Sequence, residues 1–161
     1  MRIAILAVGR LKPGAETDLV DRYLQRGQAI GRQLGVSLAV SALPESRAVR
    51  AQDRASEEAA ALLRHLPADG LAVAMDAGGE LMTSEAFAAK LDTWRNGSVR
   101  DLVFLIGGAD GLGGAARARA HLTLSFGRMT WPHQLVRAML LEQIYRAATI
   151  LTNHPYHRGG G

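Results

Sequence analysis

Apolar positions along the chain fall into short, nearly continuous runs separated by longer stretches of helical spacing. Ile3 to Val8 is the first run, the pattern of a strand buried on both faces as in a parallel sheet. After the Pro13-Gly14 turn, Leu19, Val20, Tyr23, Leu24, Ile30 and Leu34 recur at helical intervals, although Gly27 and Gly31 weaken that helix. Val36 to Leu43 alternates as a strand does, and Pro44 closes it. Ser46 to Leu66 is rich in Ala and Arg, with Leu62, Leu63 and Leu66 to one side, which predicts a second helix ending before Pro67.

The alternation continues. Leu71 to Met75 predicts a third strand followed by a turn at Asp76-Ala77-Gly78-Gly79, and Ser84 is the expected N-cap of a helix carrying Phe87, Leu91 and Trp94. Leu102 to Ile106 is a fourth buried strand, followed directly by the glycine-rich stretch Gly107 to Gly114. A short Ala- and Arg-rich helix through about Ala120 and a strand from Leu122 to Phe126 come next. Pro132 stands where a first helical turn favours proline, and Leu135, Val136, Met139, Leu140, Ile144, Ala147 and Leu151 form the apolar stripe of a final helix. Strands alternating with helices predict an α/β fold with a parallel sheet covered on both faces. Ligands in such sheets bind beyond the carboxyl ends of the strands, where the glycine turns lie.

The length of 161 residues is that of one domain, and no linker, repeat or low-complexity stretch divides it before the terminal Gly159-Gly160-Gly161. With no cysteine, disulfides, thiolate catalysis and thiolate zinc sites are excluded, and a reducing cytoplasm is the expected home. The opening apolar run is too brief for a signal segment, and no window reaches the length of a membrane span. A net charge of +4 from 19 basic and 15 acidic residues leans only slightly toward a polyanionic partner. His133, His154 and His157 lack the partners of a metal motif, so no metal is expected. Arg47, Arg50 and Arg54 read as a solvated helix face, whereas Arg117 and Arg119 fall near the glycine stretch.

The glycine stretch is not spaced for phosphate. A G-x-G-x-x-G starting at Gly111 would need glycine at 116, which is Ala116, and no G-K-[ST] follows. Taken alone, such glycines are more commonly turn residues and helix-packing contacts than a ligand cradle. A second loop, Ser125 to Gln134, joins the last strand to the last helix and mixes apolar, hydroxyl and aromatic side chains. Strand ends at Met75, Gly107 and Gly127 would together form a mostly apolar pocket rich in backbone amides, suited to adenine and a thioether-like tail. Three readings remain open from the residues: an RNA methyltransferase, a non-catalytic RNA-binding module and a small-molecule nucleotide enzyme.

Three motifs in order narrow the choice. Leu105-Ile106-Gly107-Gly108-Ala109-Asp110-Gly111-Leu112, Met129 to Arg137, and Tyr145-Arg146 followed by Thr152 to Arg158 resemble the ribosomal RNA large subunit methyltransferase H family, and the likeness runs along essentially the whole chain. The resemblance implies a SPOUT-type fold with a carboxyl-terminal trefoil knot, a homodimer, and S-adenosylmethionine-dependent methylation of ring nitrogen three of a pseudouridine in large-subunit ribosomal RNA on the assembled ribosome. It places the methyl donor at Met75, Gly107, Gly127, Arg128, Met129, Thr130, Trp131 and Pro132. His133, Arg137, Tyr156, His157 and Arg158 fall to the target side. Ala109 departs from the family pattern, where proline is expected, and three glycines follow Arg158. The tail's imidazole, phenol and guanidinium are group types that accept a proton, stack on a base and bind phosphate.

Overall fold

The computed structural model of the protein describes residues 1–156. His157 and Arg158, assigned above to the target side, lie outside the described residues. Five strands form one sheet in the order β2-β1-β4-β3-β5, and every neighbouring pair runs parallel. They are β1 (Arg2–Val8), β2 (Ser37–Leu43), β3 (Leu71–Leu81), β4 (Asp101–Ile106) and β5 (Leu122–Ser125). The helices are α1 (Ala15–Gly31), α2 (Ala51–Arg64), α3 (Ser84–Asn96), α4 (Gly114–Arg119) and α5 (His133–Leu151).

The apolar runs take the positions that need them. β4, with Leu102 to Ile106 all buried, sits centrally between β1 and β3, whereas β2 at the edge buries only Leu38 and Leu43. Alternate side chains feed two cores. Ile3, Ile5, Val73, Phe104 and Ile106 pack with Phe87, Leu91, Leu140, Leu141 and Ile144 from α3 and α5, and Val20 of α1 joins them. Leu6, Val8, Ala74, Val103 and Leu105 pack on the opposite face with Ala59, Leu62 and Ala116 of α2 and α4. The molecule is a three-layer α/β/α arrangement.

Five local expectations are corrected. Thr83, not Ser84, caps α3 by accepting from the Ala86 amide at 3.2 Å, which leaves Ser84 to donate to Gln143 Oε1 of α5 at 2.8 Å. α2 begins at Ala51, because the preceding residues are held in a loop by hydrogen bonds from Ser46 and Ala48. The turn expected after Met75 is a bulge inside β3: Leu124 of β5 pairs with Met75 and again with Glu80, and Asp76 to Gly79 arch out between them. Gly79 permits this, since a Cβ there would stand 2.7 Å from the Thr123 backbone. Pro132 is the N-cap of α5 rather than its first helical residue. The helix expected to reach Leu34 tightens at Arg32–Leu34 into a 3₁₀ turn that Gly35 closes in the left-handed region at φ 65°.

Candidate active site

A cleft of about 220 Å³ opens where the carboxyl ends of β3, β4 and β5 meet the start of α5. Its walls include Met75 and Asp76 from β3, Gly107, Gly108, Gly111 and Leu112 from the β4–α4 loop, Ser125 at the end of β5, and Gly127, Met129, Thr130 and Trp131 from the β5–α5 loop. His133 and Val136 of α5 complete it. Six of the residues expected to hold a donor, Met75, Gly107, Gly127, Met129, Thr130 and Trp131, thus share one cavity. Arg128 and Pro132 are exposed and do not line it.

The backbone explains the glycines. Gly108 and Gly111 close a tight turn, with the Gly111 amide donating to the Gly108 carbonyl at 3.1 Å and Gly111 in the left-handed region at φ 82°. A Cβ on Gly107 would stand 2.4 Å from the Gly111 backbone, so nothing larger fits under the turn. Gly113 meets the Ala55 carbonyl of α2 instead, so this glycine is a packing contact. Across the cleft, Ser125 Oγ donates to the Gly127 carbonyl at 2.8 Å and accepts from the Gly127 amide, which folds the start of the β5–α5 loop back on the strand.

The cleft's chemistry is apolar with one acid. Among the described residues Asp76 is the only carboxylate in the lining, and neither Arg nor Lys is among those that form it. Arg117 of α4 reaches Asp76 from outside at 3.1 Å, whereas Arg119 donates to the Ala68 and Gly70 carbonyls at the opposite end of β3, away from the cleft. A polyphosphate would meet no counter-charge in such a lining. A ligand with a net positive charge and an aromatic ring meets Asp76, Phe126 and Trp131.

His133 stands at the mouth, next to Gly9 at the end of β1. A Cβ on Gly9 would lie 3.1 Å from His133 Nε2 and 2.8 Å from Glu45 Oε1, so imidazole and carboxylate converge over one bare backbone position, which also has φ 86°. The expectation that Arg137 faces the target is corrected. Its side chain is 2% exposed, and its Nη2 donates to the carbonyls of Val8 and Gly9 at 3.2 and 2.9 Å. Burial holds this guanidinium below its ordinary pKa. Its place beneath β1 follows from α5 packing on the sheet, where position 137 points inward one turn after His133.

Tyr156 does not line the cleft. Its hydroxyl donates to Glu142 Oε1 at 3.2 Å, its ring packs at a tilt of 55° against Tyr145 with centroids 4.7 Å apart, and the Arg146 guanidinium lies over it at 5.1 Å. Glu142 is nine residues after His133, about 13.5 Å along the helix axis. Burial, with the neighbouring Tyr23 and Glu142, raises the Tyr156 phenol above its ordinary pKa. Arg146 is the ion-pair partner of Glu142, at 2.7 Å.

Sequence reasoning missed Arg54. Expected on a solvated face, it makes a bidentate pair with Asp110 of the β4–α4 loop, at 2.6 and 3.0 Å. The partners are 56 residues apart, and no local pattern links them.

Comparison with known proteins fixes the family. A family model described as "Predicted SPOUT methyltransferase" matches residues 1–157. A ribosomal RNA large subunit methyltransferase H from Nitrobacter winogradskyi is 56% identical over 160 residues, covering 99% of this chain and 100% of its own. One from Bradyrhizobium diazoefficiens is 51% identical over 159 residues, covering 98% of this chain and 99% of its own. The chain belongs to the ribosomal RNA large subunit methyltransferase H family. Among solved structures, the SpoU methyltransferase AviRb from Streptomyces viridochromogenes, in complex with AdoMet, is far more distant. It is 14% identical with a TM-score of 0.41, over 91% of this chain and 57% of that one. Among the described residues no helix is long and apolar enough to cross a membrane, and no three His, Cys, Asp or Glu side chains gather as metal ligands.

Proposed function

We propose that this chain, as one SPOUT methyltransferase domain over residues 1–161, transfers a methyl group from S-adenosylmethionine to ring nitrogen three of a pseudouridine in large-subunit ribosomal RNA. The substrate is the assembled ribosome in the cytoplasm, and the enzyme acts as a homodimer with a carboxyl-terminal trefoil knot. The observation that carries the donor assignment is the cleft lining, which among the described residues joins glycine backbone and apolar side chains to one carboxylate without any Arg or Lys. The substrate assignment rests on the relatives, whose names make them large-subunit ribosomal RNA methyltransferases.

The residues present fit the donor. Gly107 lets the Gly108–Gly111 turn close over it as one wall, Gly127 without a Cβ leaves room for the adenine, Met75, Met129 and Trp131 cover its faces, and Thr130 supplies a hydroxyl. Arg128 and Pro132 act by shaping the loop that carries these groups. When bound, S-adenosylmethionine supplies an electrophilic methyl group. The protein's task is then to hold the nucleophilic nitrogen in line with that methyl and to favour loss of the imide proton. His133, at the mouth beside Gly9, is placed to contact the target base. Arg137 serves as a positioning residue that holds the Val8 and Gly9 carbonyls, and with them the floor under His133.

The tail completes the site from the partner copy. Tyr156 docks far along α5 from its own cleft, and an apolar groove lined by Leu19, Tyr23, Leu135 and Met139 lies on the α1 and α5 face, suited to cover by a second copy. His157 and Arg158 follow Tyr156 directly and would bind the target phosphate and base in the partner's cleft. The test is transfer of labelled methyl from S-adenosylmethionine to ribosomes lacking the modification. Transfer to pseudouridine N3 is expected; donor binding without transfer would redirect the search to another RNA, and no donor binding would favour a non-catalytic RNA-binding module.

A further inference from the structure

One face of α2, formed by residues 54, 55, 58 and 59 at helical spacing, receives two loops at once. On one side it carries the β4–α4 loop: Arg54 Nε and Nη2 hold both oxygens of Asp110, Gly113 rests on the Ala55 carbonyl and the Ala59 methyl, and Glu58 lies against Gly108. On the other side it carries residues 44–50. Arg54 Nη1 donates to the Ala48 and Val49 carbonyls at 3.1 and 2.8 Å, and Glu58 Oε1 accepts from the Ser46 amide at 2.9 Å. Glu58 is 5% exposed, and its second oxygen, Oε2, is buried without a hydrogen-bond partner; a Cβ on Gly108 would stand 2.8 Å from it. A buried carboxylate oxygen is costly to leave unpaired. Here it packs against the loop whose other side walls the cleft.

We propose that Arg54 and Asp110 are positioning residues for the methyl donor: their pairing fixes the height of the Gly107-to-Leu112 turn and thereby sets donor affinity, although neither residue lines the cleft. This inference rests on the donor assignment above. The geometry favours it in three ways. The pair is bidentate and partly buried, with side chains 30% and 24% exposed, unlike a flexible surface contact. Asp110 sits within the turn between Gly108 and Gly111, so a shift of its carboxylate moves the amides on both sides. Arg54 uses Nε, Nη1 and Nη2 toward three different residues, a fan of donors that lysine does not possess.

The pair also perturbs its own titration in the expected sense. The hydrogen bonds that Arg54 donates hold the Asp110 carboxyl below the usual aspartate value, and the same bonds raise the Arg54 guanidinium. The pairing is therefore complete at neutral pH, persists through the ordinary aspartate range near 4, and fails only as pH falls below it.

The test compares the unaltered protein with Arg54→Gln, Asp110→Asn, the double variant and Arg54→Lys. Calorimetric titration with S-adenosylmethionine and steady-state methylation are measured on each, and thermal melts report folding. Each single exchange to an uncharged side chain is expected to weaken donor binding and raise KM for the donor about tenfold while leaving kcat at saturating donor unchanged. The double variant should be no worse than either single one, and Arg54→Lys should fall between. An unchanged donor KM, an additive double variant, or a kcat that falls only in step with the folded fraction would each overturn the proposal. Failure of the unaltered protein to bind the donor would instead overturn the donor assignment itself, and the clamp with it.

Discussion

The two loops that wall the cleft are held in opposite ways. The β4–α4 loop is closed by its own Gly108–Gly111 turn, pinned by Arg54 through Asp110 and seated on α2 at Gly113. The β5–α5 loop is tied at its start by Ser125 and then carries Met129 at 76% and Trp131 at 42% exposure into solvent. Large apolar groups exposed beside a cleft are surface that a ligand can cover. One wall is built before any ligand arrives and sets shape; the other holds its apolar contacts in reserve, so its contribution to stability is small and its contribution to binding large.

That contrast can be broken most severely at Gly107. Replacing it with alanine forces a methyl to within 2.4 Å of the Gly111 backbone, so Gly107→Ala is expected to cost about 1–3 kcal/mol of stability, the usual penalty for overpacking. It should also abolish measurable donor binding, as urea melts and calorimetry together would reveal. Full donor affinity in that variant would mean the turn does not form the wall. Next comes Arg137→Met, which strands the Val8 and Gly9 carbonyls and should lose roughly 1–3 kcal/mol. If Arg137 instead touched RNA directly, stability would hold and only RNA affinity would fall.

On the open wall the effects reverse. Trp131→Ala should leave the unfolding free energy within about 0.5 kcal/mol, yet weaken donor binding roughly tenfold through the lost apolar cover. A destabilised protein with unchanged affinity would erase the distinction between the two loops. The smallest effect concerns the tail. Because the Tyr156 phenol is raised above its ordinary value by burial, and further by Tyr23 and Glu142, its docking contributes fully at neutral pH. The contact should survive the usual phenol range near 10 and be lost only as pH rises beyond it. Phenolate absorbance of the unaltered protein against Tyr156→Phe measures this; ionisation of Tyr156 at or below the usual range would contradict the docked position.

Much of this arrangement was legible in the residues. The apolar runs locate all five strands, since a strand buried on both faces needs consecutive apolar side chains, and Leu102 to Ile106 supply them. The cleft followed from the rule that glycine turns at strand ends face ligands, and Met75, Gly107 and Gly127 do meet there. What escaped was long-range or context-dependent. Gly78 and Gly79 read as a turn, yet pairing of β5 with both Met75 and Glu80 carries β3 through them as a bulge. Arg54 read as solvated because its partner lies 56 residues away in a loop. Arg137 shares the α5 face of His133 by spacing, but the sheet packed against α5 buries one and leaves the other at the cleft mouth.

The most direct measurement is a calorimetric titration of the unaltered protein with S-adenosylmethionine, repeated with ATP as a polyphosphate bearing the same adenosyl group. Saturable binding of the methyl donor with no binding of ATP is the predicted result, because the described residues of the cleft offer Asp76 and apolar walls but no Arg or Lys. Binding of ATP with no heat from S-adenosylmethionine would contradict the assignment of the cleft to a methyl donor.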